Sequence, residues 1–353
     1  MDNTQIQFIE ILSDGIRGAS AEKYYENVDW DEVLELANKH KVEGIIYLAL
    51  RKGSLASKIG NDRLNILKKK AAITGIGQSR HISGLSEVLA KINEREIPVI
   101  VLKGLVVRGF YPQPDQRSMS DADILVHKDD VETVKQILID MGYVFLEDHK
   151  ASHHIALVHH KYPVVEVHWH LFKRDGFSNE LEHYERLIWK RAIDINVGKE
   201  SALSLAYDDL ALHLCMHMAA HLAATGFGVR QLCDLVLLVE KKGNEIDWNS
   251  FIMKARMYGF EKFSLIMFLL CKELFNMEVP KGIDIKSVSN KKYVAALIEE
   301  IFESGVHGKK EMANQFATQV AFNFEDKDGN ATLGAIKRYF RFIFPSVDSM
   351  SEN

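Results

Sequence analysis

The sequence predicts an α+β fold in which a small mixed sheet lies between two helical regions. Apolar residues recur at helical spacing before residue 94, short apolar runs typical of strands follow up to about residue 171, and helical patterning returns from Asp208. The chain has 353 residues, of which 47% are hydrophobic and only six are proline. This length and composition allow more than one folded unit around a substantial core.

Residues 1–94 are expected to be helical. Asp29 precedes an apolar pattern that continues to Asn38 at helical spacing, and an aspartate is a common residue at a helix N-terminus. The stretch from Asn61 to Asn93 contains few helix-breaking residues, so a long helix is expected there.

Pro98 marks the change from helices to strands, and the pattern that follows predicts the order β–α–β–α–β–β up to about residue 200. The predicted elements are a buried strand at 97–102, a helix opening at 105–108, a strand at 121–126, a helix at 129–141 that ends at Gly142, and an antiparallel hairpin of 153–160 with 164–171. From Asp208 the chain is expected to be helical again as far as about residue 344.

These patterns divide the chain into successive regions. We expect an N-terminal helical region at 1–94, a sheet-containing region at 95–203, a C-terminal helical domain at 204–345 and a disordered tail at 346–353.

Two carboxylates, Asp121 and Asp123, stand one residue apart just before an apolar run. In an extended strand both side chains project from the same face, with their Cα atoms about 6.5 to 7 Å apart. Two carboxylates at this separation can bind the same hard cation, and oxygen ligands suit Mg²⁺. This pair therefore indicates phosphoryl or nucleotidyl transfer. The plainer alternative is a pair of turn-capping aspartates.

Lys103 and Gly104 follow the first predicted strand directly, and Glu166 lies within a later apolar strand. A glycine at a strand-to-helix turn lets the backbone approach a ligand, and the free N–H groups of the following helix attract a phosphate. Lys103 adds a positive charge at the same place. Buried carboxylates are rare unless they are paired or bound to metal, so Glu166 is a candidate third acidic ligand.

Several short motifs together resemble a known family, the bacterial uncharacterised nucleotidyltransferases of the DNA polymerase β-like superfamily. The motifs are Leu102-Lys103-Gly104, Tyr111-Pro112, Arg117, Asp121-x-Asp123 and Glu166-x-His168-Trp169. The resemblance covers about residues 95–240 and implies a polymerase β-like palm. It departs at Leu105, where the superfamily usually has serine or glycine after the turn glycine.

The resemblance implies an enzyme that transfers a nucleoside monophosphate from an NTP, with ATP as the expected donor, and releases pyrophosphate. Mg²⁺, with Mn²⁺ as the alternative, would be bound by Asp121, Asp123 and Glu166, which are the predicted catalytic residues. Lys103 and Gly104 would hold phosphates. The further residues assigned to nucleotide binding are Arg117, His168, His213, His217, Arg230 and Asp234.

Plainer interpretations of some of these residues remain open. His213, His217 and His221 recur every four residues on one helix face, which fits a metal stripe or a hydrogen-bonded helix contact. Arg230 and Asp234 are also four apart and could form an ordinary i,i+4 ion pair.

Composition restricts the partners. The net charge is −5 and the pI about 6.3, which disfavours a nucleic-acid acceptor and favours a small molecule, peptide or protein. Three cysteines without a paired motif are typical of a reducing cytoplasm. No apolar run approaches the roughly 20 residues of a membrane span.

Two other classes of function are compatible with the sequence. The first is a non-catalytic NTP-binding or interaction protein on a degenerate palm, for which Leu105 is the sequence feature. The second is a metal-dependent hydrolase that uses the histidines. It would hold Zn, Fe or Mn tightly, whereas the all-carboxylate ligand set does not favour it.

Overall fold

The computed structural model describes residues 1–146, 154–171, 179–224, 226–289 and 291–306. The expected helical end near residue 345 and the tail at 346–353 lie outside these residues.

The N-terminal part is helical, as predicted. Its helices are α1 (Asn3–Arg17), α2 (Trp30–Lys39), α3 (Glu43–Leu50), α4 (Leu55–Ile59) and α5 (Asn61–Asn93). Asp2 caps α1 by accepting a 2.8 Å hydrogen bond from the Gln5 backbone N–H, and Asp29 caps α2 in the same manner. The long helix α5 has the bounds expected from the sequence.

The described residues form one seven-stranded mixed sheet. Its strands are β1 (Ile100–Val101), β2 (Asp121–Leu125), β3 (Val144–Leu146), β4 (His154–Val158), β5 (Val164–His168), β6 (Ile193–Val197) and β7 (Glu200–Ser204). Their order across the sheet is β3-β4-β5-β2-β1-β7-β6. The pairs β2–β5 and β1–β7 are parallel, and the other neighbours are antiparallel.

The predicted hairpin is present as the antiparallel pair β4–β5, but the predicted order of elements is incomplete. Strand β3 and the β6–β7 hairpin were not expected. Strand β3 is short and lies at the edge of the sheet with Val144 exposed, so it has little apolar signal. Strand β6 alternates half-buried and exposed residues up to the buried Val197, and it joins β7 through Gly198, which has a φ of +62°.

Three helices are interspersed with the strands: α6 (Gly104–Val107), α7 (Val131–Asp140) and α8 (Asn179–Arg191). Helix α6 has only four residues and continues into a 3₁₀ turn at Arg108–Phe110. Such a short helix has little dipole, which weakens the expected contribution of its N-terminus to phosphate binding. Helix α7 begins after a 3₁₀ turn at Lys128–Asp130 and is followed by Gly142 with a φ of +92°.

Beyond the sheet the described chain is helical, as predicted. These helices are α9 (Tyr207–Ala224), α10 (Val229–Lys242), α11 (Trp248–Met257), α12 (Glu261–Phe275) and α13 (Lys291–Ser304), with a 3₁₀ turn at Ile285–Val288. Among the described residues no helix is both long and apolar enough to cross a membrane.

Helix α10 connects the helical layers to the sheet. It packs against α6 and the turn at 108–110 on one side and against α1, α9 and α12 on others. Its residues Leu235 and Leu238 are completely buried, as is Phe268 of α12. Helix α10 therefore brings its first turns next to the loops that follow β1 and precede β2.

Candidate active site

The carboxylates predicted to act together lie on two adjacent parallel strands. In the register of β2 and β5, Asp123 is paired with Glu166, and Leu125 is paired with His168. Because side chains alternate along a strand, Asp121, Asp123, Glu166 and His168 share one face of the sheet.

The Asp123, Glu166 and His168 side chains form a close cluster. The Nε2 atom of His168 lies 3.1 Å from Oδ1 of Asp123 and 3.4 Å from Oε2 of Glu166. One candidate ligand atom from each residue falls within 4.8 Å of the other two. Asp123 and His168 are buried and Glu166 is half-buried. Two carboxylates and an imidazole at this spacing can hold one divalent cation.

Lys103 contacts the same cluster from the end of β1. Its Nζ lies 3.0 Å from Oδ1 of Asp123. The Lys103 backbone has φ +47° and ψ −119°, a conformation that L-residues rarely adopt. Such a conformation costs about 1 to 3 kcal/mol, so the neighbouring structure must hold it in place. Lys103 therefore directs a positive charge toward Asp123 from a strained turn.

The charges in the cluster alter the acidity of its members. Burial alone would raise the pKa of Asp123, but Lys103 and His168 outweigh burial and hold that pKa well below its usual range. Burial and the neighbouring Asp123 carboxylate raise the pKa of Asp121. Burial opposes protonation of His168, yet its hydrogen bonds with Asp123 and Glu166 raise its pKa overall. The site thus has a surplus of negative charge around Asp121.

Gly104 is required by the close approach of Arg117. A Cβ atom at position 104 would lie 2.9 Å from both Cζ of Arg117 and Sδ of Met119. Arg117 makes a bidentate ion pair with Asp234 of α10, with distances of 2.5 Å from Nη2 and 3.2 Å from Nε. The Tyr111 hydroxyl donates to Asp234 at 2.8 Å. These buried hydrogen bonds of Arg117 and Tyr111 with Asp234 hold the loop before β2 against α10.

Asp234 therefore does not form the i,i+4 ion pair with Arg230 that the sequence allowed. Arg230 instead donates through Nη1 to the carbonyl and hydroxyl oxygens of Ser118, at 2.7 and 2.8 Å. Burial and the nearby Arg117 lower the pKa of Arg230 to about 10. Among the described residues no carboxylate lies within ion-pairing distance of Arg230, so its charge is available to an anion.

Two α9 histidines, His217 and His221, line the same site, and His213 is not among the described residues that line it. His213 is buried, and burial lowers its pKa to about 3. The Nε2 atoms of His217 and His221 lie 3.0 Å apart, and burial lowers the pKa of His221 to about 4. These rings are consequently neutral at pH 7 and provide polar, uncharged groups.

A cleft between the sheet and helices α9 and α10 brings most of the predicted site residues together. Its polar lining includes Lys103, Gly104, Arg117, Asp121, Asp123, His217, His221, Arg230 and Asp234. Leu105, Met119, Leu214 and Met218 form its apolar lining. His168 lies next to the cleft because it contacts Asp123, which lines the cleft, and Glu166 lies beside His168.

Sequence reasoning missed Ser118 as a part of this wall. Its hydroxyl donates to the Lys41 carbonyl at 3.0 Å and accepts from Arg230. Ser118 and Ser120 flank Met119 in the sequence, but the partner of Ser118 is Arg230, which is 112 residues away. No local pattern therefore indicates this contact.

A model of the uncharacterised nucleotidyltransferase family matches residues 26–276, which is more than half of the chain. The chain belongs to this family. The match includes the polar residues that line the cleft, and family membership agrees with the resemblance inferred from the short motifs. It also agrees with the α+β architecture of a mixed sheet flanked by helices.

The chain also resembles solved structures at low identity. The antibiotic-resistance factor ANT(2'')-Ia is 9% identical with a TM-score of 0.39, over 52% of this chain and 96% of that one. The lincomycin-bound lincosamide antibiotic adenylyltransferase LnuA is 18% identical with a TM-score of 0.31, over 44% and 94%. A nucleotidyltransferase-like antigenic protein from Paracoccidioides brasiliensis is 10% identical with a TM-score of 0.33, over 46% and 77%.

These structural similarities are too low to indicate a substrate. No curated protein matches the chain in sequence.

Proposed function

We propose that this protein transfers a nucleoside monophosphate from an NTP, with ATP as the expected donor, to an acceptor hydroxyl. The observation that carries the proposal is the pairing of Asp123 with Glu166 on parallel strands, beside the Lys103–Gly104 turn. Family membership supports the class of reaction.

Asp121, Asp123 and Glu166 are the residues that would hold Mg²⁺, or Mn²⁺ as the alternative. They are oxygen donors on one face of the sheet, as this type of cation requires. When bound, the cation neutralises charge that develops on the phosphate oxygens during transfer. Burial and the neighbouring Asp123 carboxylate raise the pKa of Asp121, and a cation bound between these carboxylates would favour the ionised form of Asp121.

Lys103 and Arg230 are the residues that would bind the triphosphate. Both line the cleft and both carry positive charge close to Asp121. The Lys103 ammonium can contact a phosphate oxygen while remaining near Asp123, and the Arg230 guanidinium can donate to phosphate oxygens. Arg117 and Asp234 neutralise each other's charge, so we assign them to the structure of the cleft wall and not to phosphate binding.

The reaction forms a bond between the acceptor oxygen and the α-phosphorus and breaks the bond between the α-phosphorus and the bridging oxygen. Pyrophosphate leaves with the electron pair of the broken bond. Glu166 takes the acceptor proton on its carboxylate oxygen that does not bind the cation, since its side chain is half-buried and lies beside Asp123. The protein contributes mainly position and charge, and no protein nucleophile is needed.

The acceptor is proposed to be a small molecule, peptide or protein. The chain is acidic overall, and the cleft combines cations, neutral histidines and apolar side chains. Neither feature resembles the continuous basic face that binds a nucleic-acid backbone.

A direct test incubates the protein with ATP labelled at the α-phosphate, Mg²⁺ or Mn²⁺, and sets of small molecules, peptides and proteins. We expect label on an acceptor together with pyrophosphate release, and loss of both in Asp123→Asn. Asp194→Asn, at an exposed position of β6, is the matched control and should retain activity.

Two results would contradict the proposal. Binding of ATP without transfer to any acceptor would favour the non-catalytic alternative. Release of labelled AMP into water, dependent on His168 and on a tightly held metal, would favour the hydrolase.

A further inference from the structure

His168, which the sequence assigned to nucleotide binding, is the strongest candidate for a further ligand at the proposed metal site. It lies two residues after Glu166 on β5 and points from the same face of the sheet. The plainest role for its imidazole is to donate a hydrogen bond to Asp123 and hold that carboxylate in place. Its distances to both carboxylates suggest a second role.

We propose that Nε2 of His168 binds the same divalent cation as Asp123 and Glu166, and that this nitrogen makes the site prefer Mn²⁺ over Mg²⁺. This inference rests on the proposed function for the location of the cation. It goes further by naming a nitrogen ligand and the metal that this ligand selects.

The spacing of the three groups supports a shared ion. Neighbouring ligands of an octahedral ion with bonds of about 2.1 Å are roughly 3 Å apart. The Nε2 atom of His168 lies 3.1 Å from Oδ1 of Asp123 and 3.4 Å from Oε2 of Glu166. Only small side-chain movements are needed to place all three atoms around one cation.

The orientation of His168 is fixed by its neighbours. Its ring lies against the ring of His154 on β4, with centroids 4.9 Å apart, and the residue is buried. His154 is the directly paired residue on that strand. A ligand that is already oriented loses little conformational entropy when it binds a cation.

Asp123 does not depend on His168 alone for compensation of its charge. Lys103 approaches the same Oδ1 atom at 3.0 Å. If Nε2 of His168 binds a cation through its lone pair, it no longer donates a hydrogen bond to Asp123. Asp123 then still has Lys103 as a cationic neighbour. The imidazole can therefore change roles without leaving a buried carboxylate uncompensated.

The mixture of donors determines the expected selectivity. Mg²⁺ is bound almost entirely by oxygen ligands, whereas transition-metal ions also accept an imidazole nitrogen, and Mn²⁺ is the transition-metal ion of the two cations proposed for this site. Two carboxylates with one imidazole should therefore bind Mn²⁺ more tightly than Mg²⁺.

Pulsed electron paramagnetic resonance of the full-length protein loaded with Mn²⁺ tests this ligand directly. We expect modulation from a directly bound ¹⁴N nucleus, replaced by a ¹⁵N pattern when only the histidines are ¹⁵N-labelled. His168→Gln should abolish this modulation or metal binding itself, whereas His154→Gln should retain the modulation. Where His168→Gln still binds metal, competition between Mn²⁺ and Mg²⁺ should show that the preference for Mn²⁺ is lost.

The outcomes separate this inference from the proposed function. Mn²⁺ that binds without imidazole modulation, or modulation that persists in His168→Gln, overturns the role of His168 and leaves the carboxylate site intact. Failure of both Mn²⁺ and Mg²⁺ to bind overturns the inference and the proposed function together. Imidazole modulation without nucleotidyl transfer supports His168 as a ligand and counts against the proposed reaction. If His168→Gln does not fold, the labelled wild-type protein still shows whether any imidazole binds the cation, and Mn²⁺ bound without that modulation still overturns the role of His168.

Discussion

The Arg117 guanidinium lies against the Cα atom of Gly104, at the point where the chain leaves β1 and begins α6. Arg117 cannot move away freely because Asp234 holds it through two hydrogen bonds. A turn that faces the carboxylates of β2 is thereby fixed to α10. Several testable properties depend on this arrangement.

Gly104→Ala should disturb both the turn and the ion pair. The added methyl group would lie 2.9 Å from Cζ of Arg117, so we expect a loss of about 1 to 3 kcal/mol of stability by urea unfolding. ATP affinity should fall as well. Gly109→Ala is the control, because a Cβ there meets no atom within 4 Å. If the two variants are equally stable, Arg117 moves away from the added methyl group without any loss of stability.

Asp234→Asn should be strongly destabilising. It leaves the buried Arg117 guanidinium without its carboxylate, which costs about 3 to 5 kcal/mol when one partner of a buried pair is removed. The control is Asp31→Asn, which breaks the exposed pair with Arg63 and should cost far less stability, because water screens an exposed ion pair. Chemical denaturation of both variants provides the comparison. Similar losses would contradict the structural role of the Arg117–Asp234 pair.

Lys103 can be tested by two substitutions that both remove its ammonium group. Lys103→Met and Lys103→Gly should each weaken ATP binding in calorimetry. Lys103→Gly should be the more stable by about 1 kcal/mol, because glycine relieves the backbone at φ +47°. If the two variants are equally stable, the turn is not strained. If both bind ATP like the wild type, Lys103 does not bind phosphate.

The buried histidines should make the protein sensitive to acid. His40 is completely buried beside Phe8 and Phe302, and burial lowers its pKa from an ordinary 6.5 to about 3. Below pH 6.5 His40 becomes protonated in the unfolded chain but stays neutral in the native protein. The free energy of unfolding therefore falls as pH decreases toward 3. The contribution is about 1.4 kcal/mol per pH unit for each such histidine.

Urea unfolding at intervals from pH 7 to pH 4 measures this slope. His40→Gln should give a shallower slope than the wild type, whatever its stability at pH 7. His160→Gln, at an exposed position, should leave the slope unchanged. A wild-type stability that is constant over this range would contradict the account.

Local patterns made part of the site predictable. The one-residue spacing of Asp121 and Asp123, and the apolar residues around Glu166, indicated which face of a strand each carboxylate occupies. The pairing of Asp123 with Glu166 could not be derived this way. It depends on the register of β2 with β5, which more than 35 intervening residues leave open.

Tertiary contacts decided what local patterns could not. The spacing of Arg230 and Asp234 suggested an ion pair within one helix. The Asp234 carboxylate instead pairs with Arg117, which comes from a loop distant in the sequence. The edge strand β3 has Val144 exposed and only three residues, so backbone pairing with β4 defines it. Alternating residues 193–197 followed by Gly198 did carry a hairpin signal that could have been used.

We propose that the β2 and β5 carboxylates hold a divalent cation against a triphosphate bound at the Lys103–Gly104 turn. Crystals grown with Mn²⁺ and α,β-methylene-ATP test this arrangement, because the anomalous signal locates the metal. We expect an anomalous peak at coordination distance from Asp121, Asp123 and Glu166, with the triphosphate between Lys103 and Arg230. A nucleotide bound elsewhere, or Mn²⁺ remote from these carboxylates, would contradict it.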